Sequence, residues 1–317
     1  MTAMAHSDVG QELGALSQTD RHSLLLALAE VISPSLNGAS SHRLAQSLEN
    51  IVRDRSRPAP SDEVDLEWLT EALSRTPEER VAYWGDKLLR LADAGISMVD
   101  PLDDDYPANL RMVHNRPPFL MVRGSLLVED VRAMAVVGTR RPSATGTESA
   151  RSISKGLAAR GVTVVSGLAA GIDTAAHEGA LEEGGRTIAV FGTGIERVYP
   201  AANRELASRI TRSGACVSQF WPSMGGARWS FPVRNLVTSG LSIGTIVVEA
   251  GETSGARLQA LAALDHGKRV LLLRRLVEDQ PWASAVAVRP GVMVFESVDE
   301  VIEAVDSELR LDAAVVG

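Results

Sequence analysis

Apolar residues in the first hundred positions recur at three- and four-residue spacing, which is the period of a helix. The segments LLLALAEVI, HRLAQSLENIV, VDLEWLTEAL and VAYWGDKLLRLADAG follow this pattern, and a proline-rich break at 57–60 divides them. We expect about four short helices, which form a small all-α module over residues 1–97. Its aromatic residues Trp68, Tyr83 and Trp84 are expected to pack in the core of this module.

Further along the chain the pattern changes to short, continuous apolar runs that alternate with helical segments. The runs are FLMVRG, AMAVVG, VTVVSG, TIAVFG, ACVSQF, TIVVEA and RVLLL. Continuous β-branched runs with helices between them are typical of a parallel sheet that is covered on both faces. We therefore predict that residues 98–317 form an α/β domain, an extended Rossmann-like parallel or mixed sheet with helices on both faces, preceded by the all-α module.

The residues that follow these predicted strands are candidates for binding, because parallel sheets place ligands beyond the carboxyl ends of their strands. After the first parallel strand, the loop GTRRPSATG combines glycines with two arginines and leads into a helix. Glycines allow close backbone approach, and a helix N-terminus attracts anions, so this loop predicts phosphate binding. The candidate phosphate-binding residues over all these loops are Gly138, Thr139, Arg140, Arg141, Ser166, Gly167, Gly192, Gly194, Tyr199, Arg234, Asn235, Ser254 and Gly255.

Composition narrows the class of protein. At 317 residues with 45% hydrophobic content, the chain can bury a full core, and its length favours two domains. No apolar run is long enough to span a bilayer, and the N-terminus lacks the features of a signal peptide, so we expect a cytoplasmic protein without membrane contact. One cysteine and six scattered histidines give no metal-ligand spacing. The dinucleotide fingerprint G-x-G-x-x-G is absent as well. We therefore expect no metal, and no cofactor such as NAD or FAD.

Charge is distributed unevenly along the chain. The net charge is −8, yet residues 131–275 hold 18 Lys and Arg against 10 Asp and Glu. The flanking parts hold 14 basic and 30 acidic residues. An anionic polymer responds to the local field of the face that it meets, so the basic middle of the chain favours nucleic acid. Four of the thirteen aromatic residues fall within 220–231, where they can stack on bases; for Phe220 we favour a place in the core.

Residues 98 to about 275 resemble the DNA processing protein A family, DprA, also called Smf. The resemblance is carried by DDDYPANL, PPFLMVRG, VVGTRRPSATG, VVSGLAAGIDTAAHEGAL, GGRTIAVFGTGIERVYPAANREL, FPVRNLVTSGLS and VVEAGETSG, in this order. It implies sequence-independent binding of single-stranded DNA, a homodimer and loading of a RecA-type recombinase, without catalytic turnover. The residues for which it implies DNA contact are Arg140, Ser166, Gly167, Arg234, Asn235, Ser254 and Gly255.

The chain also departs from this family. Ala170 and Leu236 stand where members usually carry basic residues, while Gln219 and Gln259 replace a glutamate and a threonine. Two positive charges are therefore missing from the expected groove. The residues that could restore them are Arg141, Arg257, Arg274 and Arg275. The chain closes with a predicted strand and one helix, which indicates a divergent member without the C-terminal winged-helix domain.

Two other functions compete with DNA binding. Loss of groove charge fits a sensor of a small nucleotide ligand, of the same Rossmann-like superfamily and with a role in defence. An enzyme similar to nucleoside-phosphate hydrolases is disfavoured, because their glutamate falls on Gln259, which leaves Glu249 and Glu252 as the nearby acids. Asp173 and His177 are interpreted as structural, Asp173 as the N-cap of the following helix and His177 as hydrogen-bonded within it.

Overall fold

The computed structural model describes residues 13–36, 39–53 and 60–316. Most of the proline-rich break and the N-terminal residues that bear on a signal peptide lie outside these ranges. The amino-terminal part contains the four predicted helices. They are α1 (Gln18–Ile32), α2 (Ala39–Arg53), α3 (Pro60–Ser74) and α4 (Glu78–Asp93).

A mixed sheet forms the centre of the molecule. Within the described part of the chain its nine strands are β1 (Ile96–Val99), β2 (Leu120–Gly124), β3 (Ala133–Val137), β4 (Thr163–Ser166), β5 (Thr187–Val190), β6 (Ala215–Ser218), β7 (Gly244–Val247), β8 (Arg269–Leu273) and β9 (Val292–Phe295). Their order is β1-β2-β6-β5-β4-β3-β7-β8-β9. Strands β3 to β9 run parallel to one another, while β2 pairs antiparallel with both β1 and β6. The predicted extended Rossmann-like sheet is confirmed.

Helices connect the strands and cover the sheet. They are α5 (Ala108–Arg111), α6 (Ala144–Ala158), α7 (Ile172–Glu182), α8 (Arg204–Ser213), α9 (Ser230–Leu241), α10 (Gly255–Asp265), α11 (Arg274–Asp279), α12 (Pro281–Ala287) and α13 (Val298–Val316). The central strands are fully buried because helices pack on both faces, which explains why they read as unbroken apolar runs. Within the described residues, no helix combines the length and the apolar character that a bilayer crossing requires.

The amino-terminal helices share a hydrophobic core with the sheet. Trp84 of α4 is buried and stacks on Trp221, with 5.2 Å between the ring centroids. The Trp221 indole N–H donates to the Pro34 carbonyl at 2.6 Å. Lys87 and Glu196 form an ion pair across the same boundary. The expected core role is wrong for Tyr83, which is 43% exposed beneath the Arg80 guanidinium. The division of the chain into domains at 1–97 and 98–317 stays a prediction.

Candidate nucleic-acid interface

The order of the strands creates a crevice at one place on the carboxyl edge of the sheet. From β3, the chain continues through β4, β5 and β6 on one side and returns to β7 and β8 on the other. Connections therefore leave β3 and β7 in opposite directions, which opens the space between them. A cavity of about 460 Å³ lies there, bounded by the loop after β3, by α9 and by the start of α10.

Most of the predicted site residues meet in this cavity. Its lining includes Gly138, Thr139, Arg140, Arg141, Gly167, Arg234, Asn235, Ser254 and Gly255. Tyr199 lines a smaller adjoining cavity of about 70 Å³, and Arg140 and Arg234 also line it. Loops that are far apart in the chain are thus brought to one edge, as the sequence predicted.

Three predicted residues lie inside the protein and line none of these cavities. The Ser166 hydroxyl donates to the Val136 carbonyl at 2.7 Å, within the sheet. The Gly192 carbonyl accepts from the Ser230 hydroxyl at 2.6 Å, and the Gly194 N–H donates to the Met224 carbonyl at 2.8 Å. These contacts lie within the protein and hold the loops in place.

Arg234 is the most unusual group of the cavity. It is only 7% exposed, and its Nη1 donates to the Val190 carbonyl at 2.8 Å. Its Nε is buried without a hydrogen-bond partner, and Asp173 acts on it as a nearby charge. A side chain at Gly167 would overlap this guanidinium, so the glycine makes room for it. Burial lowers the pKa of Arg234; Asp173 opposes this shift and Arg140 adds to it.

Asp173 is a buried carboxylate in the first turn of α7, behind Arg234. Its Oδ2 accepts from the N–H groups of Gly167 at 3.1 Å and Ala169 at 3.3 Å, so it orders the loop before the helix. Burial raises the pKa of Asp173, while the charge of Arg234 and the backbone donors lower it. The N-cap role predicted for Asp173 is wrong, since the N-cap of α7 is Gly171, with φ of +86°.

His177 is structural, although its partner differs from the expected one. Its Nδ1 lies 2.7 Å from the Thr187 hydroxyl of β5, outside its own helix. Because that hydroxyl donates to the Val164 carbonyl, Nδ1 of His177 carries the proton and donates to Thr187. Its Nε2 is buried without a partner. Burial and the charge of Arg234 lower the pKa of His177 to about 3.

The N-terminus of α6, where the sequence predicted phosphate, is occupied by a carboxylate of the protein. Glu249, just beyond β7, accepts from the Ser143 N–H at 3.1 Å and from the Ser143 hydroxyl at 2.9 Å. A side chain at Gly146 would overlap this carboxylate. The glycine therefore admits Glu249 and leaves α6 without a free anion site, which corrects the expectation for this helix.

The N-terminus of α10 faces the cavity with neutral groups. Its N-cap is Ser254, whose hydroxyl accepts from the Ala256 N–H at 3.2 Å. The Asn235 side chain donates to the Gly255 carbonyl at 3.2 Å and ties α9 to this turn. The side chain of Gln259 is buried. In the amide orientation that satisfies both of its polar groups, the nitrogen donates to the Asn235 carbonyl and the oxygen accepts from the Ser239 N–H. The positive end of α10 thus stays available to an anion.

One of the clustered aromatic residues reaches the cavity. Phe231 lies under Arg140, whose guanidinium carbon is 5.4 Å from the ring centroid. The ring of Tyr199, which is 54% exposed, lies 5.8 Å from Phe231. Phe220 is fully buried, as expected, and Trp221 belongs to the core shared with α4. Tyr199 and Phe231 therefore form an aromatic mouth beside the arginines.

Three of the arginines considered as replacement charges are paired with acids. Arg257 contacts Glu252, Arg274 contacts Glu296, and Arg275 contacts Asp279. Arg141 lines the cavity. Ala170 lines the aromatic mouth, so the basic residue expected there is missing from the site itself. The lining of the main cavity holds Arg140, Arg141 and Arg234 against the single acid Asp173.

Among the residues that the structure describes, two side-chain groups bring metal-ligand atoms together, although the sequence showed no such spacing. His22 meets Asp100 and Asp103, but the Arg21 guanidinium bonds both carboxylates. The other group consists of His114, Asp265 and His266. Both ring nitrogens of His266 are hydrogen-bonded, to Asn115 and Ser239, so neither nitrogen is free to bind a metal.

Comparison with known proteins agrees with this architecture. The family model for DNA recombination-mediator protein A matches residues 97–306. DNA processing protein DprA of Bacillus subtilis is 32% identical over 214 residues, which is 67% of this chain and 72% of that protein. The Streptococcus pneumoniae protein of the same name is 39% identical over 172 residues, 54% of this chain and 61% of its own length. Protein Smf of Escherichia coli is 36% identical, and 55% of it is covered.

Solved structures share the fold. DNA processing protein A of Streptococcus pneumoniae superposes with a TM-score of 0.63 and 26% identity, covering 95% of this chain and 98% of that one. A Helicobacter pylori protein of the same name, solved for its single-stranded DNA binding mode, gives a TM-score of 0.60 at 22% identity and covers 67% of this chain and 96% of its own. The motifs, the sheet order and these matches converge, and the chain belongs to the DNA recombination-mediator protein A family.

Proposed function

We propose that this protein binds single-stranded DNA without sequence preference through the cavity at the carboxyl edge of β3 and β7. The buried guanidinium of Arg234 carries the proposal. Burial lowers the pKa of Arg234 although Asp173 opposes the shift, so the protein's own carboxylate compensates this buried cation only in part, and an external anion can complete the site. Arg140, Arg141 and the start of α10 converge on the same space, where they suit a phosphate group.

The polymer rather than a small ligand is favoured by the way the cavity opens. Beyond Arg140 and Arg234 it continues into the mouth formed by Tyr199 and Phe231. Guanidinium groups bind phosphates without reading sequence, and aromatic faces stack on any base. A strand that passes from the arginines to the mouth would use both kinds of contact. A mononucleotide sensor remains the second candidate, because the charge expected at position 170 is missing.

An enzymatic role is not proposed. Gln259 occupies the position of the hydrolase glutamate and is engaged in the backbone of α9. Glu249 caps α6, and Glu252 is exposed and paired with Arg257. Neither acid lines the main cavity, where a general base would have to reach a bound substrate. Asp173, the acid that does line it, accepts hydrogen bonds from the backbone of Gly167 and Ala169.

Family membership supports the remaining parts of the proposal. We infer that the protein acts in the cytoplasm in DNA processing and recombination, where it loads a RecA-type recombinase onto the strand that it holds. Transformation is the process that this role fits first. The acidic flanks of the chain repel a polyanion, which leaves the basic middle as the DNA-binding part.

Replacing Arg140 by alanine should weaken binding of single-stranded DNA by about tenfold, because one charge-assisted phosphate contact is lost. The slope of log K against log salt should become shallower by roughly 0.7, the value for one phosphate of a single strand. Fluorescence anisotropy with oligo-dT and with a mixed sequence measures both. The two sequences should lose the same factor; a loss confined to one of them would mean that Arg140 reads bases.

A homodimer is the second expectation from family membership, with the last helices of the sheet domain as its surface. Two cavities on one strand raise the apparent affinity through effective concentration. Light scattering at micromolar protein concentration should therefore give about twice the mass of the chain. A strict monomer under these conditions would contradict the dimer and weaken the mediator role.

A further inference from the structure

A second cavity adjoins the main one and shares no lining residue with the cavity at the aromatic mouth. Its volume is about 320 Å³, and it shares Thr139, Arg141 and Gly251 with the main cavity. Its lining includes Ser143 and Gly146 at the start of α6, together with Glu249. A ligand that extends from the main cavity in this direction therefore meets the N-terminus of α6.

In a Rossmann-type sheet the helix after the first strand ordinarily attracts a pyrophosphate to its N-terminus. Here Glu249 takes that place and satisfies the donors of Ser143. Gly146 leaves the space that the carboxylate needs. The anion site is therefore formed and then filled by the protein, whereas the N-terminus of α10 is capped by neutral Ser254.

We propose that Glu249 is a specificity-determining residue, which excludes nucleoside di- and triphosphates by holding a carboxylate where their further phosphates would lie. The inference rests on the proposed phosphate-binding function of the main cavity. In a nucleotide the phosphates are directly joined, so a second one must lie close to the first. In a nucleic acid strand a sugar separates successive phosphates, and the strand leaves the main cavity past Tyr199, away from Glu249.

Such selectivity matters in a cell, because other phosphate compounds compete for any phosphate-binding cavity. Nucleoside triphosphates are abundant and carry more charge on one group than a single backbone phosphate does. Three arginines and a helix N-terminus would attract them strongly. The carboxylate of Glu249 lies in the adjoining cavity, where a second phosphate would be. It offsets the attraction for polyphosphates and leaves the binding of a single phosphate unchanged.

The test measures the binding of AMP, ADP and ATP, with EDTA present, to the wild-type protein and to Glu249→Gln by isothermal calorimetry. For the wild type, affinity should stay within about threefold from AMP to ATP, although charge increases. For Glu249→Gln, ATP should bind at least about tenfold more tightly than AMP, since removing one charge at close range changes the free energy by more than 1.4 kcal/mol. The control is Glu252→Gln, an exposed acid outside both cavity linings, which should keep the wild-type ratio.

Two results would overturn the inference. One is a wild-type protein that binds ATP more than tenfold more tightly than AMP, a measurement that requires no variant and stands even if Glu249→Gln misfolds. The other is an unchanged ratio in folded Glu249→Gln, including the absence of detectable binding of all three nucleotides. Binding of oligo-dT to the same samples separates the two proposals. A ratio shift without DNA binding refutes the DNA function alone, and DNA binding without the shift refutes the role of Glu249 alone.

Discussion

Replacing Arg234 by methionine should weaken binding of single-stranded DNA by about a hundredfold, the largest effect expected of any one residue in the interface. The guanidinium is buried, lacks a partner for Nε and lines the same cavity as Arg140 and the start of α10. A charge-assisted hydrogen bond of this kind contributes about 1.5–3 kcal/mol, and a buried site strengthens it. Fluorescence anisotropy with an oligo-dT strand measures the loss.

The control for this variant is Arg212→Met, which removes the same charge from the exposed last turn of α8. It should bind DNA as the wild type does. Circular dichroism and urea unfolding should show that Arg234→Met keeps its fold, because methionine retains much of the packing while Val190 loses one donor. Wild-type affinity in folded Arg234→Met would mean that the cavity is not the DNA site.

Acid should destabilise the protein through His177. Its pKa is about 3 in the folded protein and about 6.5 in the unfolded chain, so the unfolded chain binds more protons between these values. Stability from this group is complete above pH 6.5 and is lost as pH falls, by about 1.4 kcal/mol per pH unit well below 6.5. The cause is the buried Nε2, which would carry an unpaired charge next to Arg234.

The variant His177→Gln removes this titration. Urea unfolding at several pH values between about 4.5 and 6.5 should show a shallower slope of free energy against pH than in the wild type. Asp173, whose pKa is raised, acts in the opposite direction in both proteins, so the difference between the two slopes isolates His177. Equal slopes would show that His177 takes up protons in the folded protein as readily as in the unfolded chain, which would contradict the lowered pKa.

The local pattern of apolar residues was sufficient to predict the strands and the edge of the sheet at which the candidate site lies. Runs such as AMAVVG and VTVVSG are buried on both faces, and their short length, their β-branched residues and the glycine after each of them indicate strands. Since parallel strands end at one edge, residues after different strands had to meet there. Arg140 and Arg234 meet for this reason, although 93 positions separate them in the chain.

Contacts between distant segments could not be predicted in the same way. The antiparallel place of β2 beside β6 depends on pairing between segments that carry no matching local signal. Which hydroxyls and carboxylates the protein uses internally also depends on packing. Ser166 and Glu249 both follow the rule for ligand residues at strand ends, yet Ser166 bonds Val136 and Glu249 bonds Ser143. The sequence feature that could have revealed the internal role of Glu249 is Gly146, which leaves room for its carboxylate. That feature can be interpreted only once β7 is known to adjoin β3.

The most direct test of the central claim is the salt dependence of binding for an oligo-dT strand compared with thymidine 5′-monophosphate. If the cavity tracks a phosphate backbone, log K for the strand should fall linearly between about 50 and 200 mM salt, with a slope of roughly −0.7 for each phosphate contacted. The monophosphate should bind far more weakly than the strand. Tight, salt-insensitive binding of the monophosphate, with no advantage for the strand, would contradict the account and establish the nucleotide sensor in its place.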